Sequence, residues 1–211
     1  EATSFLQGLI ERTKDAYVRV VRRLRMADLL SQSGQQSQAL EAYEQCLGDA
    51  AQDSWVEAEA LAQIAQVFRR KDDVNGLKSR LAKLAEKHPQ RAALTQLRAV
   101  VAVDLDEGDE ARALYVRLLE VNPGKVELRT AFIEMLVKLQ RFDDAVTQCQ
   151  ELLARSPQDK ELRAQLATLL YQAKRPGEAA AEVKLLVDGG KVDEFELQRA
   201  ARLYEGFGFR K

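Results

Sequence analysis

Pro89, Pro123 and Pro157 stand 34 residues apart, and Leu77, Ala111, Ala145 and Ala179 keep the same interval. A fixed interval of that length means that one structural unit recurs along the chain. Such a unit cannot bury its apolar face alone, so successive copies stack on one another. The period therefore constrains the fold before any single residue does.

Further columns keep the frame. Ala27, Ala65, Ala99, Ile133, Ala167 and Ala201 are small in all but Ile133, as a close approach of two helices demands. A second column holds Ala39, Leu77, Ala111, Ala145 and Ala179, followed four residues later by Tyr43, Leu81, Tyr115, Cys149 and Val183. Gln140-Arg141-Phe142-Asp143-Asp144-Ala145-Val146 reads as a turn leading into a helix. Together these residues resemble the tetratricopeptide repeat. The resemblance implies an all-α fold, a right-handed superhelical solenoid of about five helical hairpins. Its units fall at 20–57 (with an insertion), 58–91, 92–125, 126–159 and 160–193. Residues 1–19 extend the first helix, and 194–211 form a capping helix and tail.

Two places depart from the frame. Ala39 and Leu77 lie 38 residues apart, so four residues, close to one helical turn, are inserted between the first two units. Ser54-Trp55-Val56-Glu57 reads as a capping box, with the Glu57 carboxylate returning to Ser54 and Trp55 covering a repeat junction. At the N-terminal end Leu6, Ile10, Thr13, Tyr17, Val20, Leu24 and Ala27 follow heptad spacing. That predicts one helix from about Ser4 to Ser33, capped by Thr3 or Ser4. Such a helix lies on its own solenoid or on an upstream repeat; a homodimer seam is the alternative. After Gly189-Gly190, Phe195, Leu197, Ala200, Ala201 and Tyr204 predict the cap. Gly206-Phe207-Gly208-Phe209-Arg210-Lys211 then predicts a frayed tail.

Composition narrows the function. Charged residues make up 31% of the chain and nearly cancel to a net charge of −1, which gives no electrostatic reason to seek nucleic acid or anionic lipid. No apolar run reaches the length of a membrane span, so no membrane insertion and a cytoplasmic location are expected. Cys46 and Cys149 sit about a hundred residues apart, too far in a stacked array to pair, and read as small core residues. Neither an enzyme nor a cofactor is expected. His88 has no catalytic companions, and no phosphate loop, nucleophile elbow or metal-spaced set appears. Asp104, Asp106, Glu107, Asp109 and Glu110 around Gly108 only faintly suggest a calcium loop, whose sixth and twelfth places fall on Asp109 and Tyr115. They read as a solvated turn. Arg12, Lys14, Arg19, Arg22, Arg23 and Arg25 read as a solvated basic helix face.

The resemblance implies a non-catalytic scaffold that binds a peptide or helical segment of another protein in a concave groove lined by the first helix of each hairpin. The groove columns hold Arg25 and Asp28; Gln63, Gln66, Arg69 and Arg70; Gln96, Val100 and Val103; Glu134 and Lys138; and Thr168, Tyr171 and Gln172. On that lining, the partner's acidic end is expected near Arg69 and Arg70, and an apolar residue near Val100 and Val103. The columns that carry the family's carboxylate clamp hold Leu24, Asp28, Ala62 and Gln66, so a chaperone-tail clamp is not expected. Self-assembly is the alternative reading, and single-stranded RNA binding ranks below it.

Overall fold

The computed structural model describes residues 2–187 and 194–208. Among the described residues there are twelve α-helices and no strand: α1 (Ala2–Arg12), α2 (Ala16–Gln32), α3 (Gln36–Asp49), α4 (Trp55–Arg69), α5 (Val74–Lys87), α6 (Ala92–Asp104), α7 (Gly108–Val121), α8 (Val126–Lys138), α9 (Phe142–Arg155), α10 (Lys160–Gln172), α11 (Pro176–Val187) and α12 (Glu194–Gly206). The chain divides into two compact units, Glu1–Leu118 and Leu119–Lys211. In the first, α1 packs on α2, α2 on α3 and α4, and α4 on α5 and α6. In the second, α9 lies between α8 and α10, and α11 between α10 and α12.

The periodic columns are the core. Ala27, Ala39, Ala99, Ala111, Ala145, Ala167 and Ala179 are completely buried, as are Leu77 and Leu81. Alanine recurs there because helices that approach this closely leave no volume for more. Ile133, the expected exception, is buried as well. Ala201 is a correction: it is exposed, and its neighbour Ala200 enters the core with Ala167 and Val183.

Each hairpin turns in the same way. Gly34, Asp72, Asp106, Gln140 and Lys174 all have positive φ, between 54° and 79°. After each of them an amide reaches back five residues: Gln35 to the Leu30 carbonyl, Asp73 to Phe68, Glu107 to Ala102, Arg141 to Leu136 and Arg175 to Leu170. That is the left-handed helix ending that satisfies otherwise orphaned carbonyls. Four of the five positions are not glycine, so the turn accepts conformational cost for its geometry.

The single N-terminal helix expected from Ser4 to Ser33 is two helices, divided at residues 13–15. The Thr13 hydroxyl donates to the Leu9 carbonyl (2.6 Å) and its amide to Ile10 (3.1 Å), closing α1. The Asp15 carboxylate then accepts from the Val18 amide (2.8 Å) and opens α2. A good N-cap inside a periodic stretch restarts the helix while the apolar spacing continues. Ile10, Val20, Leu24 and Ala27 are all buried in the unit's own core, with Leu6 packed against it. Most heptad positions are thus spent internally, while Tyr17 stays 61% exposed.

At the insertion, Ser54 accepts from the Glu57 amide (3.3 Å) as expected, but the Glu57 carboxylate accepts from the Asp53 amide (2.7 Å) instead of returning to Ser54. The extra residues make α4 15 residues long, against 13 for α6. Glu57 is 1% exposed and meets Arg91, 34 residues on, at 2.9 Å. Arg91 also donates to the Ala50 carbonyl (2.9 Å), tying the inserted turn to the start of α6. Trp55 is not a cover over the junction: it is 53% exposed, and its indole N–H donates to the Tyr17 hydroxyl (3.0 Å).

At the other end, α12 packs on α11, and the Tyr204 hydroxyl donates to the Ala180 carbonyl (3.3 Å). Gly189, Gly190, Phe209, Arg210 and Lys211 lie outside the described residues, as does the side chain of Phe195. Phe207 is not frayed. It is half-buried against the core formed by Ala167, Val183 and Ala200.

Candidate binding face of the first helices

The outward columns of α2, α4 and α6 share one unit, and those of α8 and α10 the other. Within each helix the outward residues flank a buried alanine or isoleucine. In α4, Ala65 is buried while Gln66, Arg69 and Arg70 are exposed and Gln63 is half-buried. In α6, Ala99 is buried and Val100 is 39% exposed, with Gln96 and Val103 half-buried. Arg25 and Asp28 take the equivalent places on α2, Glu134 and Lys138 on α8, and Thr168, Tyr171 and Gln172 on α10; of these only Asp28 and Thr168 are half-buried, the rest exposed.

In the first unit the α2 and α4 columns converge on a cleft of about 270 Å³ lined by Asp28, Ser31, Gln32, Tyr43, Glu59, Gln63, Gln66 and Arg70. Tyr43 rises from α3 as its floor; its ring is fully buried and its hydroxyl donates to Asp28 (3.0 Å). Burial first, then the hydrogen bond to Asp28 and its charge, push the phenol far above its ordinary range, so it stays a donor. Glu59 accepts from the Gln63 amide (2.8 Å). Sequence spacing brought Asp28, Gln63, Gln66 and Arg70 to this face. Glu59 and Tyr43 were missed as lining, because Tyr43 reads as core and Glu59 sits one turn before Gln63, off the expected columns.

Arg69 is drawn off toward Asp104 of α6 (3.3 Å), which lessens its supply of free positive charge to a ligand. The acidic turn is likewise engaged: Lys78 bridges Glu107 and Glu110, and its ammonium holds the Glu110 carboxyl below its ordinary value. Among the described residues no group of three metal-binding side chains occurs, and no helix is long and apolar enough to cross a membrane. The basic stretch is partly spent too, with Arg23 paired to Asp49 and Arg22 bonded to the Leu9 carbonyl (3.4 Å) and the Thr13 hydroxyl.

In the second unit Tyr171 is not bare. The Phe207 ring stacks on it with centroids 4.4 Å apart and planes inclined by 15°, so the aromatic expected to meet a partner is covered on one side by the chain itself. His88 closes α5, its amide donating to Leu84 (2.9 Å). Cys46 and Cys149 are free and buried; burial pushes their thiols up to about 12 and about 11, so neither is a nucleophile at neutral pH.

Residues 136–203 match the family described as Tetratricopeptide repeat. Over that segment the chain carries tetratricopeptide repeats. Tetratricopeptide repeat structures share its fold along nearly all its length. YrrB, described as a tetratricopeptide repeat protein with an unusual peptide-binding site, is 20% identical, covers 93% of this chain and 97% of its own, and superposes with a TM-score of 0.52. MamA is 12% identical over 91% of this chain and 95% of its own, with a TM-score of 0.51. A tetratricopeptide repeat protein from Parabacteroides merdae is 17% identical over 99% of this chain and 85% of its own, at 0.49. No curated protein sequence matches the chain. At these identities the likeness is one of fold.

Proposed function

We propose that the chain is a non-catalytic interaction scaffold, with repeat units at 20–57, 58–91, 92–125, 126–159 and 160–193, and that the outward columns of its first helices bind a segment of another protein. The observation that carries this reading is the cleft between α2 and α4, with Val100 exposed on α6 of the same unit. Polar side chains converge in the cleft around a buried hydroxyl, on a face whose side chains are not needed by the core. A peptide site on the same fold in YrrB is consistent with it. Ile10, Val20, Leu24 and Ala27 of the N-terminal heptad are buried in the unit's own core, while Tyr17 remains exposed, so a homodimer seam there stays the alternative reading.

A random dodecapeptide library displayed on phage, selected on the native chain and on a Gln66→Ala, Val100→Asp variant, tests the proposal. Selected peptides are expected to bind the native chain at least tenfold more tightly. Equal binding to both would move the working surface elsewhere.

A further inference from the structure

Resting on that reading, we infer that the α2–α4 cleft takes a cationic side chain, lysine or arginine, from the partner segment, so that the partner is basic at the point where the Arg69-Arg70 pair alone would have called for acid. The cleft places two carboxylates, Asp28 and Glu59, around one volume of about 270 Å³. Among the described residues neither carboxylate has an ion-pair partner; Asp28 accepts only from Tyr43 and Glu59 only from Gln63. Each therefore keeps a second oxygen for a donor. Both are half-buried, where water screens a charge less well than at an open surface, so an arriving ammonium or guanidinium finds acceptors on two sides of the cleft.

The neutral lining suits the same ligand. Gln63 has an amide oxygen that accepts, as do Gln66 and the Ser31 hydroxyl, and the Tyr43 hydroxyl fixes Asp28 from below without competing for its outer oxygen. The volume accepts one long side chain and no folded element. Arg70 is the only cation in the lining. It is exposed, at the rim, and fits a backbone carbonyl of the same segment. Arg69, which would have made an anion site of the pair, leans away to Asp104.

The test uses the isotope-labelled full chain and the peptide acetyl-GGSKSGG-amide, with norleucine and glutamate versions as controls, followed by amide chemical shifts. The lysine peptide is expected to shift the Asp28, Glu59 and Gln63 signals saturably, and the norleucine peptide to leave them in place. Asp28→Asn and Glu59→Gln are each expected to weaken the lysine peptide at least fivefold. Should Asp28→Asn disturb the fold through Tyr43, Glu59→Gln at its half-exposed site decides alone. Equal shifts from the norleucine peptide, or stronger ones from the glutamate peptide, overturn the inference. If that happens while library peptides still depend on Val100, only the cleft assignment fails; if the lysine peptide binds while library peptides ignore Gln66 and Val100, only the wider face fails.

Discussion

Arg91 and Glu57 show how one residue pair can hold a departure from the repeat. Both are buried, their contact is 2.9 Å, and each has a second backbone partner. Removing one charge strands the other. Arg91→Met is expected to cost about 3–5 kcal/mol in a denaturant melt, and adding Glu57→Gln, which keeps an acceptor for the Asp53 amide, to restore part of that. A melt unchanged by Arg91→Met would show the pair to be dispensable. His88 acts through pH. Burial, and after it the Arg91 charge, hold its imidazole below the ordinary value of 6.5. The unfolded chain therefore takes the proton first as pH falls, so the contribution is whole above pH 6.5 and is lost below it. His88→Gln should flatten the stability profile in that window; an unaltered slope would assign it to other groups.

At the scale of the element, the hairpin turn and the helix start decide more than propensity does. Five turns use the same left-handed residue, and only the first supplies glycine. Lys174→Gly is therefore expected to stabilise the chain by up to about 1 kcal/mol, and Gly34→Ala to destabilise it by a similar amount, read as opposite shifts of Tm. Shifts of the same sign would mean that these turns are not under the strain their φ angles imply. The heptad at the N-terminal end carries the complementary lesson. Its apolar spacing runs unbroken from Leu6 to Ala27, yet Asp15 caps a second helix within it, because apolar period reports which face is buried and not where backbone hydrogen bonding is interrupted.

Across the whole molecule, packing is almost entirely between helices adjacent or nearly adjacent in the chain. Stability in such an array is a sum of local terms, so damage spreads to neighbours before it spreads to all. Leu81→Ala, at a fully buried site in α5, is expected to cost about 2–5 kcal/mol and to lower amide protection within residues 1–118 more than within 119–211. Uniform loss of protection along the chain would show one cooperative block instead.

The period determined the fold by itself. Alanine at 34-residue intervals leaves close helix packing as the stable arrangement, and the positions of the hairpin turns follow from it. The outward columns were legible for the same reason, since a residue one place from a buried alanine on an amphipathic helix must face out. What the period does not encode is which outward groups find one another. Arg69 with Asp104, Phe207 on Tyr171, and Tyr43 beneath Asp28 are contacts between elements, set by side-chain reach across helix pairs. Glu59 entered the cleft in the same way, and with it the second carboxylate on which the proposal of a basic partner side chain rests. Periodic spacing fixes directions along one helix; only packing of helices against each other fixes distances between charges, and those distances decide what the face can bind.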